Sequence, residues 1–144
     1  MLFKRISRTD AETIFIIVQN VSGSTLTAGY SCVFDTSASV DGVRVTQASA
    51  GDTSAFAGVA HSDIANSSYG MIQVYGYRSS ALISYSSVSV VVGDLLGPYA
   101  GQWGLARVAG TSASAKAFAF ACEAVASSSA VAITTTAKVF LRAL

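Results

Sequence analysis

The chain has 144 residues, 51% hydrophobic and 12% charged, with a formal net charge of +1 and a mean hydropathy of +0.51. That length suits one domain around one core, and the near-zero charge without a basic stripe argues against nucleic acid as a partner. A charged share far below the usual level of about 25% leaves apolar surface, which favours oligomerisation or docking on a larger assembly over a free monomer.

No apolar stretch reaches the roughly 18 residues of a membrane span. Polar RISRTDAET stands where a secretory signal would turn apolar. The expected product is soluble, made in the cytoplasm and without a membrane partner. Residues 1 to 12 read as an arm in which Lys4, Arg5 and Arg8 are answered by Asp10 and Glu12, and residues 13 to 144 as a single β domain.

From Thr13, TIFIIVQN places β-branched and aromatic residues on both faces and predicts a central strand buried on both sides. After the turn formers of Asn20 to Gly29, Tyr30 to Phe34 resumes a strand with Tyr30, Cys32 and Phe34 on one side, expected to pair antiparallel with the first. Asp41-Gly42 is a tight-turn dipeptide, and Val43 to Thr46 alternates like an exposed edge strand. Phe56 to Ala60 predicts a strand, His61 to Ser68 a polar turn, and Gly70 to Tyr77 a second strand. In the latter, Met71, Gln73, Tyr75 and Tyr77 share an outer face opposite Ile72, Val74 and Gly76.

Arg78-Ser79-Ser80 is expected to reverse the chain into ALISYSSVSVVV, two short β-prone pieces, and Gly93-Asp94 to make a sharp turn. Gly97 to Gly104 contains Pro98, Tyr99 and Trp103 and reads either as an exposed functional loop or as one folded back on the sheet. Ser114 to Ser127 is alanine-rich enough for a helix, yet AFAFACEAVA alternates, with Phe118, Phe120, Cys122 and Ala124 on one face, and strand is favoured. VAITTTAKVFLRAL then completes a terminal hairpin with Val131, Ile133, Thr135, Ala137, Val139 and Leu141 on one face. The sum is about ten short strands and no helix, an all-β antiparallel barrel or sandwich, and no internal repeat of fixed period is visible.

The residues name no reaction. His61-Ser62-Asp63 cannot converge on one proton relay because triads are assembled from distant positions, so it reads as a turn in which Ser62 or Asp63 caps backbone groups. The eight carboxylates lack calcium-loop spacing, and GPYAGQWG lacks the lysine of a phosphate loop. Cys32 and Cys122 match no metal or redox spacing and read as small buried hydrophobes. No catalytic residue, metal ligand or cofactor is expected.

SRTDAETIFIIVQNVSGSTLTAG, the FAGVA piece followed by YGMIQVYGY, the VVVGDLL turn and the closing KVFLRAL resemble the layout of the small head-decoration, or cement, proteins of tailed bacteriophages. That resemblance implies a compact β-barrel or sandwich on the capsid exterior that bridges neighbouring major capsid protein subunits as a homo-oligomer, trimer favoured over dimer, without cofactor or catalysis. The candidate contacts are the arm residues Leu2, Phe3, Lys4 and Arg5 with Tyr75 and Tyr77, joined by Tyr99 and Trp103. The alternative is a carbohydrate- or receptor-binding module of a phage tail or fibre, with Trp103 and Tyr99 as a stacking platform.

Overall fold

The computed structural model describes residues 12–37, 41–85, 89–108, 117–126 and 133–143; the arm residues 1–11 lie outside it. The described chain is all β, as expected: β1 (Ile14–Asn20), β2 (Ser31–Phe34), β3 (Arg44–Thr46), β4 (Phe56–Ala60), β5 (Tyr69–Tyr85), β6 (Leu95–Pro98), β7 (Leu105–Arg107), β8 (Ala119–Ala121) and β9 (Ile133–Arg142).

Strand pairing closes two rings that share β5. The first runs β1-β3-β2-β4-β5 and returns to β1; the second runs β5-β7-β6-β8-β9 and returns to β5. Closure removes free strand edges, which would otherwise invite pairing with other chains. The two rings have the same topology: in each, the first and third strands pair parallel and every other pair is antiparallel. Each is also clipped by one isolated antiparallel bridge between matching loops, Leu26 with Ile64 in the first and Val90 with Val125 in the second. The fold is a duplicated five-strand unit in which β5 is the last strand of one copy and the first of the next.

Each ring encloses its own core. Val18, Leu26, Cys32, Val45, Ile64, Ile72 and Val74 fill the first, and Ile83, Leu96, Leu105, Val139 and Leu141, with several alanines, fill the second. β4 lies between them, with Ala57 and Ala60 in the first cluster and Phe56 and Val59 in the second, so all five of its residues are buried. Gly58 allows that close packing, since a Cβ there would stand 2.6 Å from the Gln73 carbonyl oxygen. Phe56 of β4 stacks on Phe118 at the head of β8, with ring centroids 5.2 Å apart, so matching aromatics of the two copies meet.

Several local expectations change in this frame. β1 is paired on both edges, but only its inner face is covered: Val18 is buried while Ile14, Phe15 and Ile17 are exposed. β1 does not pair with β2, because β3 lies between them, and for the same reason β3 is no edge strand. Arg78-Ser79-Ser80 is a bulge inside a continuous β5 rather than a reversal: the register passes from Arg78↔Val139 to Ala81↔Ala137 with one extra residue on β5. Polar serines read as a turn, yet Arg78 holds the bulge in line by donating from Nε to the Ser80 carbonyl at 3.0 Å.

The described part of 114–127 contains strand and no helix; residues 114–116 and 127 lie outside the described residues. Ala119 and Ala121 point inward, and β8 pairs antiparallel with β9 as the expected terminal hairpin. Asp41 caps its turn by accepting from the Val43 and Arg44 backbone N–H groups at 2.9 and 3.0 Å, and Gly93 takes its turn at φ +91°.

Cys32 is fully buried, its Sγ donating to the Gly58 carbonyl at 3.5 Å. Burial pushes its thiol up to about 12 from an ordinary 9.0. The folded state therefore keeps this proton where the unfolded chain loses it. The contribution to stability is constant below pH 9 and falls as pH rises from 9 toward 12, by up to about 1.4 kcal/mol per pH unit. Urea midpoints between pH 8 and 10.5 should drop more steeply for the wild type than for Cys32→Ala; parallel slopes would refute the burial argument.

Candidate functional site

Four exposed apolar residues of the first ring, Phe15, Ile17, Tyr69 and Met71, form one face. Cross-strand partners project to the same side of a sheet, and the register pairs Ile17 with Met71, Gln19 with Tyr69 and Phe15 with Gln73. The inner pair Ile16↔Ile72 points the other way, toward the core. On the outer side Ile17 is 67% exposed, Tyr69 66%, Met71 46% and Phe15 37%. Gln19 is the polar member and donates from Nε2 to the Ser67 carbonyl at 3.2 Å. With only 12% charged residues in the chain, this contiguous exposed face is the candidate surface for a partner to cover.

The duplication supplies an internal comparison. In the second ring the pair corresponding to Gln19↔Tyr69 is Leu82↔Thr136, Lys138 takes the place of Met71, and Ile83, Ala137 and Val139 are turned into the core. Thr136 and Lys138 are exposed there and Leu82 is half-buried. The same backbone thus tolerates a hydroxyl and an ammonium where the first unit places Met71 and its neighbours. Apolar side chains on this face are not required by the fold.

One end of the face opens into a groove of about 360 Å³ lined by Phe15, His61, Gln73, Tyr77, Arg78 and the two bulge serines. Phe15 meets the His61 ring edge-on, centroids 4.9 Å apart. Gln73 is buried because its Nε2 donates to the Tyr75 and Tyr77 carbonyls at 3.2 and 3.0 Å. Arg78 Nη2 donates to the Ala60 carbonyl at 2.8 Å, and its Nη1 lies 3.5 Å from His61 Nδ1. Burial lowers Arg78 from its ordinary value, although a guanidinium stays protonated in proteins.

The residues singled out in sequence fall in different places. Tyr77 lines the groove and is 38% exposed. Tyr75 turns away from it and packs edge-on against Phe140 at 5.3 Å, which stacks in turn on Phe120. Trp103 is half-buried and stacked on Tyr30, centroids 5.5 Å apart, with its carbonyl accepting from Ser31 N and Oγ at 2.7 and 2.9 Å. Tyr99 is exposed beside Pro98, Thr53 and Arg107. The loop thus does both things considered for it, Trp103 folding back and Tyr99 facing solvent. Leu2, Phe3, Lys4 and Arg5 lie outside the described residues.

Asp63 caps a backbone group as its turn suggested, accepting from Ala28 N at 2.8 Å. Among the described residues no group of three or more His, Cys, Asp or Glu could hold a metal ion. Sequence reasoning missed Phe15, Ile17 and Tyr69. The available signal was the pairing of β1 with β5, which would have put the odd-numbered β1 residues beside Met71 on one outer face.

No protein-family model matches the chain, and no curated protein matches it. Among solved structures, the chain is similar to the head fiber gp8.5 N base in bacteriophage phi29, with a TM-score of 0.51 and 11% sequence identity over 92% of this chain and 96% of that one.

Proposed function

We propose that the chain is a structural protein of a bacteriophage virion that decorates the capsid exterior and stabilises the shell by bridging neighbouring subunits of the major capsid protein. The carrying observation is the apolar outer face of β1 and β5, present on one copy of a duplicated fold and replaced by Thr136 and Lys138 on the other. Such asymmetry reflects a partner rather than a folding requirement. The similarity to a phage head fibre base, along nearly the whole of both chains, supports a place on a phage head.

In this reading Ile17, Tyr69, Met71 and Phe15 form the apolar centre of the contact and Tyr77 its rim. The arm residues Leu2, Phe3, Lys4 and Arg5, which precede β1, give a second contact. The working form is a homo-oligomer, a trimer rather than a dimer, and the role is structural, with no cofactor and no catalysis. Purified protein should co-sediment with expanded, genome-free capsids and raise their melting temperature. Absence of both binding and shift would defeat the proposal.

A further inference from the structure

We infer that the groove between Phe15, His61, Tyr77 and Arg78 is a carboxylate-binding notch that receives an Asp or Glu side chain of the partner protein on which the apolar face docks. The inference rests on the reading of that face as a docking surface and adds the chemistry of its counterpart.

The Arg78 guanidinium is half-buried, and no carboxylate among the described residues pairs with it. A buried cation ordinarily has an anionic partner. Arg78 is instead fixed by neutral groups, the carbonyls of Ala60 at 2.8 Å and Ser80 at 3.0 Å. Of its five N–H groups, one on Nε and one on Nη2 are spent on those carbonyls, and one on Nη1 is turned toward His61 Nδ1. One N–H remains on each terminal nitrogen, the number that a bidentate carboxylate takes. His61, whose ring also lines the groove, is a further polar group beside the guanidinium. Among the described residues the groove lining contains no acid, and Phe15 and Tyr77 supply apolar walls that strengthen a charge-assisted hydrogen bond by lowering the local dielectric.

The acid is assigned to a different protein, because among the described residues every carboxylate of this chain is engaged already. Asp41, Asp94 and Glu123 pair with Arg44, Arg107 and Lys138. Asp35, Asp52 and Asp63 accept from the backbone N–H groups of Ser37, Ser49 and Ala28, and Glu12 also has a partner.

Two measurements test this. The first follows the Arg78 Nε–H and the Phe15 and Tyr77 amide resonances by NMR as N-acetylglutamate is added, with N-acetylglutamine and inorganic phosphate as comparison probes. Glutamate should shift these signals, glutamine should not, and Arg78→Gln should abolish the response. No shift, an equal shift with glutamine, or an equal shift with phosphate overturns the carboxylate assignment. The second measures binding to genome-free capsids. Arg78→Gln should weaken it by roughly tenfold or more, and Arg78→Lys, which keeps the charge without the fork, should recover only part of the loss. His61→Ala, which leaves both backbone anchors of Arg78 in place, should weaken it measurably, so the test survives if Arg78→Gln fails to fold. Wild-type binding unaffected by Arg78→Lys and His61→Ala would overturn the notch while sparing the proposed function. Failure of the wild type to bind capsids would defeat the proposed function and leave the NMR titration to decide the notch.

Discussion

Ile17→Asp is expected to reduce capsid binding by about 30-fold or more while leaving the fold in place. Ile17 sits opposite Met71 near the middle of the apolar face and is the most exposed large aliphatic residue there. Truncating or charging the central residue of an interface costs about 2 kcal/mol or more, and 1.4 kcal/mol is tenfold in affinity. The side chain contributes little to the core, so the stability change should stay within about 1 kcal/mol, mostly lost β propensity and cross-strand packing. Thr136→Asp is the matched control, on the corresponding face of the second unit, and should leave capsid binding unchanged. Equal losses from the two substitutions would mean that the apolar face has no special role.

Gly76→Ala is expected to destabilise the protein by about 3 kcal/mol through the backbone alone. Gly76 has φ +99°, a region that L residues occupy only at a cost of about 1–3 kcal/mol. A Cβ there would also overlap the carbonyl oxygen of Glu12 and come within 3.1 Å of Thr13 Cα, where the chain crosses β5 on its way into β1. Overpacking of this kind adds further cost. Gly51→Ala, with open space around the added methyl, should shift stability by no more than about 0.5 kcal/mol. Because Tyr75, next to Gly76, pairs with Ile14 of β1 and Arg142 of β9, both rings should melt in one transition in both variants. Separate transitions for the two rings would contradict the shared-strand account.

Alternation in Gly70 to Tyr77 and in the closing VAITTTAKVFLRAL was legible in sequence because period-two burial is a local property. The ring closures were not. Whether β1 is covered on its outer face depends on which strand lies across from it and on what packs above, and IFIIV reads the same in either case. The bulge at Arg78 escaped for a related reason: two serines after an arginine look like a turn unless the guanidinium is known to bond the Ser80 and Ala60 carbonyls. The duplication was hidden because the copies share positions more than residues. Leu26 and Val90 make equivalent bridges, and Gly29 and Gly93 follow them at φ +88° and +91°, but Cys32 answers to Leu96 and Met71 to Lys138. Small aliphatic exchanges preserve a core and erase a repeat. The candidate site was half visible. Met71 and Tyr77 were placed on the outer face from sequence, whereas Tyr75 and Trp103 went to aromatic packing that only the tertiary structure creates.

The central claim, docking on a phage capsid through the outer face of β1 and the first half of β5, is tested most directly by hydrogen exchange on the protein free and bound to genome-free capsids. Protection should concentrate in residues 14–19 and 69–78, with little change in 133–142. Protection centred on Tyr99 and its loop, or none in 14–19 on a capsid that demonstrably binds the protein, would contradict it.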